Sequence, residues 1–188
     1  MDMRGAVPSP VGGEPPPGDV LPVGVPGGGV ALRTGAVAVW VGSVRAFPNG
    51  FDFAVRVVRG PGRPRPTWHE PRPDAVRVAV SYPDGGVHRS PLHGRPAEFG
   101  RSDLGPRTLM ELGGSGNNAL WESRYWVHPL PPDGPVTVTV GEPGEPGGSI
   151  DLSGAAIRAA AAECEQLWPG TDFDEGEGGG TWATLFTR

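Results

Sequence analysis

The chain has no lysine: all 16 of its basic residues are arginine. Among 188 residues, isoleucine occurs twice and asparagine three times. All three have AT-rich codons, so a GC-rich coding sequence accounts for the shortages without a functional cause. A single cysteine, Cys164, excludes an internal disulfide and a cysteine-cluster zinc site, and points towards a cytoplasmic setting. No stretch of about 18 apolar residues exists, so no transmembrane helix and no membrane partner are expected. The opening MDMRGAVPSPVGGEPPPGD lacks the apolar centre of a secretory signal. A net charge of −5 argues against a general nucleic-acid binder, although local charge counts for more than the sum.

Glycine (32) and proline (24) are abundant, near the level of low-complexity chains. They are unevenly spread. Residues 1–29 hold seven prolines and few large apolar side chains, too little to offset chain entropy. A disordered arm is expected there, with Val20, Val23 and Val25 pairing loosely on a sheet edge. Residues 30–170 carry the folded domain. Residues 171–188 read as an acidic, glycine-rich linker ending in the short apolar tail TWATLFTR.

Within the domain, apolar residues alternate with period two, the mark of half-buried strands. In AVAVWVGSVR, Val37, Val39 and Val41 share one face, and Ala38, Trp40 and Val44 the other. FPNG then turns the chain, with Asn49-Gly50 a strong hairpin signal. Phe51, Phe53, Val55 and Val57 point inward from the next strand, with Asp52 and Arg56 outward. Further strands are expected at 75–82, 87–89, 107–112, 119–128 and 136–140, with GGSGNN a loop. After the GEPGEPGG loop the period changes. Ile157, Ala160, Ala161, Cys164, Leu167 and Trp168 recur at helical spacing, after an N-cap at Asp151 or Ser153 and before the stop at Pro169-Gly170. The pattern predicts a mainly β fold: an antiparallel β-sandwich, or alternatively a flattened barrel, with one C-terminal amphipathic helix.

One block resembles a known group. Trp121, Tyr125-Trp126-Val127, Pro129-Leu130-Pro131-Pro132, Ile150-Asp151-Leu152, GAAIRAAA and Leu167-Trp168-Pro169 follow one another in an order similar to a group of hypothetical actinobacterial proteins with no established activity. The resemblance spans about a quarter of the chain. It implies an intracellular bacterial setting and a strand–strand–helix order, and carries no mechanism.

Candidate chemistry is sparse. His88 and His93 are five apart across a proline, unlike the i, i+4 pair of a helical zinc site. Glu70 and Glu98 near that pair could complete a His/carboxylate site, and a dispersed enzyme site would draw on His69, His93, His128 and Glu70. Ser115 in GGSGNN is not a nucleophile elbow, because the loop joins strand to strand and Asn117 stands where glycine is needed. The same loop lacks the helix and lysine of a phosphate cradle. Cys164 falls on the apolar stripe and reads as structural. Asp172, Asp174, Glu175 and Glu177 lack calcium-loop spacing. No cofactor and no metal are expected.

The arginines suggest more. If every connection reverses direction, FPNG, PDGG and GGSGNN share one end of the sandwich. The loops at 59–74 and 90–106 and the PLPPDGP bend share the other. That end would collect Arg59, Arg63, Arg65, Arg72, Arg95 and Arg101 beside Trp68, His69, Trp126 and His128, diluted by Glu70, Asp74, Glu98 and Asp103. Arginine beside aromatic rings suits anionic ligands, acidic protein surfaces or single-stranded nucleic acid. Its bland counterpart is arginine as the ordinary surface cation of a lysine-free chain. The expected function is a non-enzymatic interaction module that binds a protein or small anionic ligand through long arginine-bearing loops. The alternatives are a structural subunit using its terminal arms as added strands, and the His/carboxylate enzyme.

Overall fold

The computed structural model describes residues 13, 15, 18–61, 76–90, 107–117, 119–141 and 147–168. The strands are β1 (Val20–Leu21), β2 (Val23–Val25), β3 (Gly29–Arg33), β4 (Val37–Phe47), β5 (Gly50–Arg59), β6 (Arg77–Ser81), β7 (Val87–Arg89), β8 (Thr108–Gly116), β9 (Leu120–His128), β10 (Pro135–Gly141) and β11 (Gly148–Ser153). Helix α1 (Gly154–Ala161) and a last strand, β12 (Glu165–Gln166), follow. All pairings are antiparallel. One sheet runs β2-β4-β5-β9-β8, with β3 also on β4; a second runs β11-β10-β6-β7; β1 and β12 form a short ribbon. These are open paths, so the sandwich holds and the flattened barrel does not.

The core lies between the two larger sheets. Val78, Val80, Val136, Val138 and Val140 from one meet Val39, Val41, Phe51, Phe53, Tyr125 and Val127 from the other in a single buried cluster. The alternation of VTVTV explains its half: valines face in, while Thr137 and Thr139 are only half-buried. Helix α1 closes one end, burying Ile157, Ala160 and Ala161 in the same cluster. Ser153 caps it, its hydroxyl accepting from the Ala156 amide.

Several expectations change. The edge pairing expected of Val20, Val23 and Val25 is present and firmer than loose: β1 pairs with β12 and β2 with β4, and Val20 and Val25 are buried. The helix ends at Ala161 rather than reaching Pro169, and Leu167 and Trp168 are exposed. The chain turns back to form β12, and the Leu167 amide donates to the Asp19 carbonyl. Val44 joins Val39 and Val41 on the inner face. Gly42 pairs with Ala54 while Arg45 pairs with Asp52, so one extra residue on β4 makes a bulge and shifts the alternation. Ser43 occupies it with φ of +48°, a left-handed conformation uncommon outside glycine. Finally, GGSG is strand, not loop. Gly113 to Gly116 pair with Arg124 to Trp121 after a second bulge at Leu112. The turn is made by Asn117, whose Oδ1 accepts from the Ala119 and Leu120 amides.

Candidate functional site

Of the residues expected to bind a partner, Arg63, Arg65, Trp68, His69, Arg95 and Arg101 lie outside the described residues, as do His93, Glu70, Glu98 and the acidic run at 172–177. Trp126 and His128 are described. They do not share an end with the loop after β5. Phe51 pairs with Val127, so His128 sits beside the FPNG turn. Arg59, where that loop departs, bonds to Ala119 at the opposite end of β5. Eight residues of strand separate the two ends, about 26 Å at roughly 3.3 Å per residue. Strict alternation fails between β7 and β8: Arg107, just before β8 at the His128 end, pairs with Asp84 in the turn before β7, so both strands start from the same end and the turn after GGSG falls at the other.

A different cluster stands on the outer face of the six-stranded sheet, the face away from the core. Asp52 on β5 is expected to be solvated, yet its side chain is 1% exposed. It lies between Arg45 on β4 and Arg124 on β9. Arg45 Nε donates to Oδ1 at 3.0 Å, and its Nη2 pairs with Oδ2. Arg124 Nη1 donates to Oδ1 at 2.7 Å and to the Ser43 carbonyl at 3.3 Å. The bulge matters here: it turns Arg45 outward opposite Asp52 and leaves the Ser43 carbonyl for Arg124. The bond to Asp52 raises the Arg45 pKa, keeping that charge fixed. One carboxylate therefore neutralises two guanidinium groups only in part. Beside it Arg56 pairs with Glu122 at 2.6 Å and lies over the Trp40 ring at 5.4 Å. Alternating polar residues on β4, β5 and β9 carried this pattern in the sequence. The bulge that aligns Arg45 with Asp52 had no signal beyond Gly42-Ser43.

At the near end of the same face Trp126 is fully buried. Its indole Nε1 donates to the Gly13 carbonyl at 2.9 Å, and Phe47 meets its ring edge-on at 5.5 Å. His128 Nδ1 lies 2.9 Å from the Asn49 carbonyl oxygen. A carbonyl only accepts, so Nδ1 carries the proton. The following peptide, His128–Pro129, is cis.

A third group lines the inner face where β6 and β7 end. Arg107 pairs with Asp84 and lies over Tyr82 at 5.2 Å, while Tyr82 and His88 meet edge-on at 5.5 Å. The Tyr82 hydroxyl and His88 Nε2 are buried without a hydrogen-bond partner among the described residues. Burial pushes Tyr82 up to about 12. Burial also holds His88 below the usual histidine range, helped by Arg107 and opposed by Asp84. The unfolded chain, near the ordinary value of about 6.5, therefore takes up this proton before the folded one does. Stability should fall as pH drops through that value. A His88→Phe protein should lose this part of the slope and be no less stable at neutral pH, since it removes an unpaired buried nitrogen. Urea midpoints of both proteins at pH 7.5 and 5.5 check this; parallel shifts would refute it.

Cys164 is half-buried, its thiol donating to the Ala46 carbonyl at 3.2 Å, and burial raises its pKa, as suits a structural thiol. Ser115 lies exposed on β8 opposite Glu122, with no histidine in the pairing beside it. Among the described residues no three His, Cys, Asp or Glu side chains converge as metal ligands, and no helix is long and apolar enough to cross a membrane. No family model, curated protein or solved structure matches the chain.

Proposed function

We propose that the chain is a binding module for an acidic protein segment or small anion, and that the outer sheet face around Arg45, Arg124 and Arg56 is its contact surface. The observation that supports this is the sharing of one carboxylate by two guanidinium groups on neighbouring strands. The Asp52 pairing leaves a surplus positive charge, and Arg124 donates only through Nη1 among the described residues, so further N–H donors are available to a ligand. The arginines are held by strand backbone and by each other's partner, so little ordering entropy is lost when an anion arrives. Trp40 and Phe47 flank them with apolar area. On this reading the loop arginines Arg63, Arg65, Arg95 and Arg101 add contacts of the same sign.

Titration with a poly-glutamate peptide, followed calorimetrically at about 50 mM and about 300 mM salt, tests it. The intact protein should bind, and more weakly at the higher salt. Arg124→Ser should weaken binding about tenfold or more, roughly 1.4 kcal/mol. Replacing Arg63, Arg65 and Arg95 together by Ser measures the share of the loops. No binding at low salt, or an unchanged affinity in Arg124→Ser, removes the proposal.

A further inference from the structure

The face that carries Trp126 is not the core. Trp126 points away from the buried cluster between the sheets, yet no part of it reaches solvent. The residue over it comes from the far N-terminal side of the chain, Gly13, itself buried. The contact is made to backbone: the indole N–H donates to the Gly13 carbonyl. An indole donor beside apolar ring area is the usual chemistry for holding an extended, proline-rich segment, because such a segment has free carbonyls and cannot join a sheet ladder. The sequence around Gly13, PSPVGGEPPPG, is rich in proline.

The site also selects. Gly13 has φ of +79°, a conformation that suits glycine. A Cβ there would stand 3.1 Å from His128 Cδ2 and 3.3 Å from Thr108 Oγ1. The His128 ring that forms this wall is fixed by its bond to the Asn49 carbonyl. Thr108 Oγ1 is buried with no hydrogen-bond partner among the described residues, so the site keeps an unused polar group facing its occupant. A donor for backbone, an aromatic ring, a wall that crowds any side chain at Gly13 and an unused hydroxyl stand together at this place.

We propose that Trp126, Phe47, His128 and Thr108 form a recognition site for a glycine-centred, proline-flanked peptide, occupied in this structure by the chain's own Gly13. Gly13 is a ligand in cis, and a peptide of the sequence around it, supplied separately, competes for the place. This reading is independent of the arginine cluster, which needs no peptide of this composition.

The test uses the full-length chain with Gly13→Val, which removes the fit without touching the site, and a synthetic peptide of residues 8–18. The Trp126 indole N–H is followed by NMR, identified by its loss in Trp126→Phe. In the Gly13→Val protein this signal should shift and exchange faster with solvent, while the amides of Phe53 and Val138 keep their positions. Adding the native peptide should restore the signal. A peptide carrying Gly13→Val should bind at least tenfold more weakly. The proposal is overturned if Gly13→Val leaves the indole signal unchanged, or if the native peptide fails to restore it. Unfolding of the Gly13→Val protein also counts against it, because a docked segment is dispensable to the core. Loss of poly-glutamate binding with normal peptide binding would overturn only the arginine reading.

Discussion

Asp52→Asn should destabilise the protein by about 2–3 kcal/mol, seen as a lower urea midpoint at neutral pH. Removing one partner of a buried ion pair typically costs about 3–5 kcal/mol, because the other charge is left uncompensated. The Asp52 side chain is 1% exposed, but Arg45 is 42% and Arg124 27% exposed, so water screens part of the loss and the lower figure applies. Asparagine keeps the shape and can still accept one hydrogen bond. It cannot offset two guanidinium groups that reach the same point from β4 and β9. The variant should therefore recover part of its stability in added salt, which screens the new repulsion between Arg45 and Arg124. Glu122→Gln is the control. Its pair with Arg56 is exposed on both sides, 45% and 37%, so the expected change is within about 0.5 kcal/mol. A midpoint for Asp52→Asn equal to that of the intact protein would make the cluster an ordinary surface feature.

The contrast between these two carboxylates shows where the sequence stops being readable. Asp52 and Glu122 occupy the same kind of position, outward on an alternating strand, and alternation assigns both to solvent. What separates them is the bulge at Ser43. It brings Arg45 into register with Asp52 and closes a second arginine over it. A bulge inserts one residue and inverts every later side chain on its strand, so a single unsignalled event moved Val44 inward and Arg45 outward together. Where no bulge intervened, the alternation was reliable: Phe51, Phe53, Val55 and Val57 are all buried. The helix was misjudged for another reason. Cys164, Leu167 and Trp168 continue the helical spacing, but the amides past Ala161 find better partners: Leu167 bonds to Asp19, and β12 pairs with β1. In the β1 pairing those partners are 146 residues apart (Val20 with Gln166) and 144 apart (Leu21 with Glu165), and no local pattern announces them.

The same limit governs the candidate site. Trp126 and His128 stand out in the sequence as candidate partner-binding aromatic groups, and in β9 they lie on the face opposite Tyr125. Their neighbours could not be read. The Gly13 carbonyl is 113 residues from Trp126 and the Asn49 carbonyl 79 from His128. Backbone groups carry no sequence signature, so sites built on main-chain carbonyls stay hidden until the chain is folded. Side-chain pairs on adjacent strands, such as Arg56 with Glu122, are the most that register alone can expose.

Phe53→Ala should be among the costliest single changes, about 3–5 kcal/mol, with the slope of the urea transition unchanged. Phe53 lies on β5, which pairs with both β4 and β9, and it has no exposed surface. Its ring stacks on Tyr125 at 5.8 Å and lies 6.2 Å from Phe51, so alanine leaves a cavity among rings that two sheets hold in place. Trp40→Ala removes a larger side chain from the neighbouring strand and should cost less than half as much. Trp40 is on the outer face, half-buried, with its ring over Gly42 and under Arg56 at 5.4 Å. An exposed cation–π contact of this kind contributes about 0.5–1 kcal/mol. Size alone predicts the reverse order. Stability that follows the inner face, and not the area of the ring, is what leaves the outer face free to be shaped for a partner. Equal losses for the two variants would mean that the arginine-bearing face is part of the structural core, and the case for a binding surface there would fail with it.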